Sequence, residues 1–300
     1  MLSTALNYFR EAALHGSVRR AAERLAVAPS AISRQIARLE AELGTTLIDR
    51  RSRRMALTEA GTLVLAHAER AVQEVGDLRA ALQDLAGLRS GRVRIASIEG
   101  MVTYFLARHL ANFEKRYPGI SVQASVVGSR AVLDALREHA VDMALAFNVT
   151  VRSPFQEHAR LEQPLCVVVA PAHPLAQRKS ISIKELSGQR VALPDRSFQI
   201  RFLVERITSR MQVALKLAIE TNTLEMAKGV VRNSQLLTFL PRYAALREVS
   251  SEELAAIPLR EREFAATSAS LLTSRTHQLS PAARALLDTL KAAMATYRGP

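Results

Sequence analysis

Between Ser17 and Leu43 the chain reads SVRRAAERLAVAPSAISRQIARLEAEL, and its spacing allows little besides two short helices joined by a tight turn. Val18, Ala21, Ala22 and Leu25 recur at steps of three and four, so they share a face, and the small Ala21–Ala22 pair lets a second helix cross closely. Ala26-Val27-Ala28-Pro29 breaks the pattern. Pro29 suits the first turn of a new helix, where its missing N–H costs nothing, and Ile32, Ile36, Leu39 and Leu43 give that helix an apolar stripe. The opposite face carries Ser30, Ser33, Arg34, Gln35 and Arg38.

A helix that buries one stripe and presents Ser, Arg and Gln on the other can lie in the major groove of DNA. Arg and Gln make bidentate contacts to base edges, while Ser holds phosphate. The bland alternative is an amphipathic helix with a merely solvated face. Four arginines among the five residues Arg50–Arg54 follow directly, a basic ribbon placed to grip phosphate or the minor groove. The candidate DNA contacts are therefore Ser30, Ser33, Arg34, Gln35 and Arg38, the ribbon residues Arg50, Arg53 and Arg54, and the bordering Ser17, Arg19, Arg20 and Pro29.

The order Ala21-Ala22-x-x-Leu25, Ser33-Arg34-Gln35-Ile36-x-x-Leu39-Glu40-x-x-Leu43-Gly44 and Leu57-Thr58-Glu59-Ala60-Gly61 closely resembles the N-terminal domain of LysR-type transcriptional regulators. The resemblance implies an all-α winged helix-turn-helix over residues 1–60 that reads duplex DNA as a dimer or tetramer. RNA polymerase is a further partner on the same ground. Pro29 departs from the family pattern, which usually has a base-contacting Gln there.

Thr58 is a plain cap for a long helix, and Val64, Ala68, Ala71, Val75, Leu78, Leu82 and Leu85 follow a four-three alternation within residues 58–89. That is the pattern of a coiled-coil seam. Thirty residues reach roughly 45 Å, enough to hold two DNA-reading heads apart, although a core helix within one domain is the alternative.

Leu88-Arg-Ser-Gly91 breaks the helix, and beyond it strands alternate with helices: strand 92–97, helix 102–117, strand 120–127, helix 129–139, strand 141–147. A second set follows, with strands at 165–170, 190–193, 215–220 and 236–239, helices after Asp195 and at 224–232, and a last helix at 281–297. Such alternation predicts βαβ units and a mostly parallel sheet. Connections near residues 160–163 and 262–266 would divide residues 90–300 into lobe one, about 91–161 with 267–300, and lobe two, about 162–266.

This pattern is similar to the LysR-type effector domain, with a two-lobed fold like that of periplasmic binding proteins. Glu114-x-x-Tyr117-Pro118-Gly119, Asp142-x-Ala144-Leu145, His173-Pro174-Leu175 and Phe239-Leu-Pro-Arg242 support it. Ligands of open α/β sheets bind beyond the carboxyl ends of strands, near helix N-termini. That rule selects Ile98, Glu99, Gly100 and Met101, then Gly128, Ser129 and Phe147, then Arg196, Ser197, Phe198, Gln199 and Arg201, then Thr221, Asn222, Thr223 and Phe239. Arg196 and Arg201 favour a carboxylate on the small-molecule effector and Glu99 an ammonium group, so a zwitterion would satisfy both, while capping and solvation remain the alternative.

The net charge of +13 suits a polyanionic partner, with +4 of it in residues 1–60 and +9 in the remainder, so it acts as a general field. No G-x-G pair, phosphate loop, nucleophile elbow or metal-ligand spacing points to an enzyme, so no catalytic residue, metal ligand or cofactor is nominated. A regulator without a small-molecule effector, or a hidden α/β enzyme, are the rival classes. Cys166, the only cysteine, lies in the apolar run Leu165–Ala170 and reads as a core residue. No apolar run approaches the roughly 20 residues a membrane span needs, no secretion signal opens the sequence, and a cytoplasmic location without membrane contact is expected.

Overall fold

A computed structural model describes residues 3–49, 55–84 and 90–297, with the side chains of Gln73 and of residues 76–84 outside that description. The chain forms two compact units, residues 1–82 and 83–300.

In the first unit, α1 (Thr4–His15) is capped by the Ser3 side chain and stopped by left-handed Gly16. The Ser17 side chain starts α2 (Val18–Leu25), and Ala26, at φ 52°, ends it. A left-handed alanine costs about 1 kcal/mol, which the turn accepts because the Ala26 N–H reaches the last carbonyls of α2. Then α3 (Pro29–Leu43) begins with proline in its first turn and closes on left-handed Gly44. Phe9, Ala21, Ala22, Ile32, Ile36, Leu39 and Leu47 form the core of this unit. Leu43, expected in the buried stripe, is half exposed. It is the last residue of α3, where the helix has run past the elements that cover it.

Strands β1 (Ile48–Asp49) and β2 (Ala56–Leu57) pair antiparallel and flank the arginine ribbon, itself outside the described residues. The long helix α4 (Glu59–Asp84) starts as expected, the Thr58 hydroxyl accepting from Gly61 N and donating to Thr46 O. Gly61 admits no side chain, because a β-carbon there would meet Leu47 O at 2.0 Å. Of the expected seam, Val64 packs on the head's core, Ala68 is buried, and Ala71 and Val75 are half-buried. Leu78 and Leu82 lie on the helix with undescribed side chains, and Leu85 lies outside the described residues.

The second unit opens with β3 (Gly91–Ser97), a tight turn at Glu99–Met101 and a wide helical turn at Val102–Leu106 that run into α5 (Ala107–Arg116). β4 (Ile120–Val126), α6 (Ser129–Arg137), β5 (Met143–Phe147) and β6 (Phe155–Glu162) follow. The chain then crosses into β7 (Leu165–Val169), β8 (Arg190–Pro194), α7 (Gln199–Arg210), β9 (Lys216–Thr221) and α8 (Leu224–Arg232). β10 (Thr238–Pro241), α9 (Leu246–Ser250), β11 (Ala255–Pro258) and α10 (Arg262–Ala265) complete that lobe. β12 (Ser268–Ser274) and α11 (Pro281–Thr296) return to the first.

Lobe one is a five-stranded sheet in the order β4-β3-β5-β12-β6. β3 pairs parallel with β4 and β5, whereas β12 runs antiparallel to both β5 and β6. Lobe two joins an antiparallel trio, β10-β7-β11, to the parallel pair β8-β9 through a bridge from Val191 to Leu237. The expectation of mostly parallel sheets is thus corrected to mixed ones, because β6, β11 and β12, none of them picked out from the sequence, all pair antiparallel. Where the two lobes meet, Gln163 N donates to Thr267 O at 2.8 Å and the Thr267 hydroxyl donates to Gln163 O, so the two crossing strands are tied side by side.

Candidate functional site

Two surfaces gather the residues singled out above. On α3, Ser30, Ser33, Arg34 and Arg38 are exposed and Gln35 is half-buried, directly opposite Ile32, Ile36 and Leu39 in the core. The Ser33 hydroxyl donates to Pro29 O at 3.2 Å, one turn back, which leaves its oxygen able to accept. Arg34 extends from the middle of this face. Arg38 lies against Glu42 at 2.8 Å and Arg19 against Glu23 at 3.8 Å; both pairs are exposed, where such contacts are worth little and yield readily to a stronger anion. Ser17 is occupied as the cap of α2, accepting from Arg20 N at 3.3 Å, and Arg20 is exposed. Pro29 sits exposed at the start of α3, and no side chain caps that end. Arg50, Arg53 and Arg54 lie outside the described residues.

Behind this face, the Glu40 carboxylate accepts from Leu47 N at 2.8 Å and from Ile48 N at 3.2 Å. It is buried, so one side chain near the end of α3 fixes the start of the wing relative to the reading helix. Sequence reasoning treated Glu40 only as part of a pattern.

The second surface is a cleft between the two lobes of the second unit. From lobe one it is lined by Ile98, Glu99, Gly100, Met101, Ser129, Phe147 and Ala269; from lobe two by Phe198, Gln199, Ile200, Leu224 and Pro241, with Gln163 at the crossing. Its enclosed volume is about 20 Å³, room for one water. Eight of the sixteen predicted residues therefore meet here. Gln163, Ile200, Leu224, Pro241 and Ala269 join them unforeseen.

The remaining eight have other occupations. Phe239 is fully buried and stacks on Phe264, ring centroids 6.2 Å apart, so it belongs to the core of lobe two and not to the cleft wall. Arg201 is 7% exposed and already engaged, donating to Glu205 at 2.5 Å, Glu220 at 2.8 Å and Pro194 O at 3.2 Å. Arg196 is exposed, 3.7 Å from Glu205. The Ser197 hydroxyl donates to Asp195, Asn222 is exposed, and Thr221 accepts from Thr223 N. Thr223 caps α8 through Met226 N. Gly128 packs against Ser197.

Glu99 does not cap its own helical turn. Its carboxylate crosses the cleft to the first turn of α8, accepting from Leu224 N at 2.8 and 2.9 Å and from Glu225 N at 3.1 Å. Of the three charged groups in the zwitterion expectation, Arg201 and Glu99 are thus engaged within the protein, and Arg196 is exposed beside Glu205. Among the described residues no group of His, Cys, Asp and Glu could hold a metal ion, and no helix is long and apolar enough to cross a membrane.

Two family profiles match the chain: a bacterial regulatory helix-turn-helix protein of the lysR family over residues 3–62, and a LysR substrate binding domain over residues 86–295. Among curated relatives, the RuBisCO operon transcriptional regulator of Allochromatium vinosum is 28% identical over 288 residues, which cover 94% of this chain and 93% of the relative. Among solved structures, a full-length OxyR variant from Pseudomonas aeruginosa matches with a TM-score of 0.72 at 18% identity, covering 99% of this chain and 95% of that one. Full-length CbnR complexed with its target DNA matches with a TM-score of 0.72, also at 18% identity, covering 98% and 100%. At such identities the two structures establish the fold.

Proposed function

The chain belongs to the LysR family of helix-turn-helix transcriptional regulators, and from that premise we propose that it binds an interrupted dyad of DNA through α3 and adjusts its activity to a small molecule held in the interlobe cleft. The observation that carries the first half is the α3 face, where Ser30, Ser33 and Arg34 stand exposed opposite the buried Ile32, Ile36 and Leu39. Seated in a major groove, this face puts Arg34 and Gln35 at base edges and the serines at phosphate. The wing arginines Arg50, Arg53 and Arg54 add backbone or minor-groove contacts of no sequence preference. The structural neighbour solved with its target DNA supports the same use of the same fold.

Dimerisation through α4, along the seam that continues past Val64 and the buried Ala68 to Ala71, Val75, Leu78, Leu82 and Leu85, supplies the twofold symmetry that a dyad requires. A tetramer is two such pairs. RNA polymerase, in the cytoplasm where transcription occurs, is the partner through which a bound regulator acts. The domain reading is a DNA-binding head over 1–60, a linker helix over 58–89 and an effector domain over 90–300.

The test is a fluorescence-anisotropy titration of the full chain on a DNA site recovered by selection from random sequence, with Arg34→Ala alongside. Loss of about 1–3 kcal/mol on the selected site and little on random DNA supports base reading, and equal loss on both refutes it. For the cleft, a thermal-shift screen of small metabolites against the full chain reports binding as a raised melting temperature. A folded protein that responds to nothing would favour the second reading, a regulator without a small-molecule effector. The 20 Å³ enclosed in the cleft is the observation on that side.

A further inference from the structure

The first turn of a helix offers unpaired N–H groups and the positive end of a dipole, which together attract an acid group. In this cleft α8 presents such a turn, and the protein's own Glu99 is already there: both of its oxygens accept from Leu224 N, and one accepts from Glu225 N as well. Thr223 satisfies the next donor, Met226 N. The arginines that could hold a second acid are engaged or turned to solvent, Arg201 on Glu205 and Glu220, Arg196 outside the cleft.

What remains unsatisfied in the cleft is neutral. Gln163 and Ser129 line it at 4% and 3% exposure, and among the described residues neither side chain has a hydrogen-bond partner. Gln199 lines it as well, its amide equally without one. None of these polar atoms is sealed from solvent, so each stays open to a ligand, and an amide and a hydroxyl can each donate and accept. Around them the walls are apolar: Ile98, Met101, Phe147, Phe198 and Ile200.

Building on the effector reading above, we propose that the cleft takes an uncharged, largely apolar ligand with an amide, hydroxyl or carbonyl end bound by Gln163, Gln199 and Ser129, and that Glu99 acts as a tethered carboxylate excluding acids from the α8 terminus. An acid entering beside Glu99 would bring a second negative charge to donors already taken. A neutral ligand makes no demand on those donors. Because Glu99 leaves lobe one and ends on lobe two, the same contact bridges the lobes, which must part to admit such a ligand into a cleft with room for one water.

The test uses the full chain and four probes: benzoate, cinnamate, and their primary amides. In thermal melts the amides should raise the melting temperature of the wild type and the acids should leave it unchanged. In Glu99→Ala, with the α8 donors vacated, the acids should become the better stabilisers. Glu99→Gln keeps the shape and loses the charge, so it should show the same reversal in smaller degree and stands in if the alanine variant does not fold. An acid that stabilises the wild type as much as its amide overturns the exclusion and leaves the effector reading standing. No gain of acid binding in a folded Glu99 variant overturns it too. If none of the four probes moves either protein, the proposed selectivity fails, and the effector reading is decided by the wider metabolite screen.

Discussion

Gly128 and Ser197 meet so closely across the interlobe cleft that a β-carbon on Gly128 would stand 2.5 Å from the Ser197 carbonyl oxygen. The obstacle is backbone, which cannot swing aside like a side-chain tip. Gly128→Ala should therefore wedge the lobes apart, costing about 1–3 kcal/mol as overpacking does. Hydrogen exchange at Leu224 and Glu225 N–H, donors to Glu99 across the same gap, should quicken. Unchanged exchange in this variant would mean that α7 and its loop shift alone and the cleft stays shut.

Glu40 makes a prediction for the DNA-reading head. Its alanine variant strands two backbone N–H groups, at Leu47 and Ile48, and should lose about 2–3 kcal/mol of stability. DNA affinity should fall as well, since the wing is no longer tied to α3. Glu42→Ala, removing only an exposed partner of Arg38, is the control and should melt like the wild type. Equal melting temperatures for the two variants would refute the assignment.

Acid stability should carry the signature of Asp142. Burial alone would raise this carboxyl; His277, 3.7 Å away, and Arg94, which donates to it from guanidinium and backbone N–H, overcome it and leave it below its usual 3.8. A depressed native carboxyl stabilises above the unfolded value, near pH 4, and the contribution is lost as pH falls through the lower native one. Asp142→Asn should thus be less stable than the wild type at pH 7, and the gap should narrow as the pH drops below about 4. Urea denaturation across that range measures it, and a gap independent of pH would count against the assignment.

Cys166 should be silent toward oxidants. It is 2% exposed within β7, and burial pushes its thiol to about 11 against a smaller opposing pull from Arg242. The thiolate is therefore scarce at neutral pH. Ellman's reagent should leave the native chain unlabelled and react after unfolding, and hydrogen peroxide should leave DNA affinity unchanged. Rapid native labelling would overturn this.

The head was largely legible in the sequence because its local signals agreed: proline opening α3, Thr58 capping α4, and an apolar stripe at helical spacing, whereas the caps at Ser3 and Ser17 were not read. Strands β6 and β12 escaped for the opposite reason. Every residue of SASLLTS is buried, yet four of the seven are hydroxyl residues, tied into the sheet by bonds such as Ser270 to Glu157 and Thr273 to His158. Hydropathy cannot signal a strand whose polar groups are satisfied by distant partners. The cleft was half legible. Strand ends were found, whereas Gln163 lies in the connection after β6 and Ala269 on β12, whose pairing is a tertiary fact. Arg201 could have been read better, since Glu205 four residues on is the spacing of an intrahelical pair. Phe239 was chosen by position near a strand end, but all four residues of that strand are buried and Phe239 packs on Phe264.

The two crossings make lobe two an insertion. The unit begins in lobe one with β3, ends there with α11 packed on β3 and β6, and lends out everything between Gln163 and Thr267. A bending of lobe two therefore leaves both ends of the unit where they were. A ligand that draws lobe two inward loads two backbone crossings at once, at Gln163 and at Thr267, and not a single hinge.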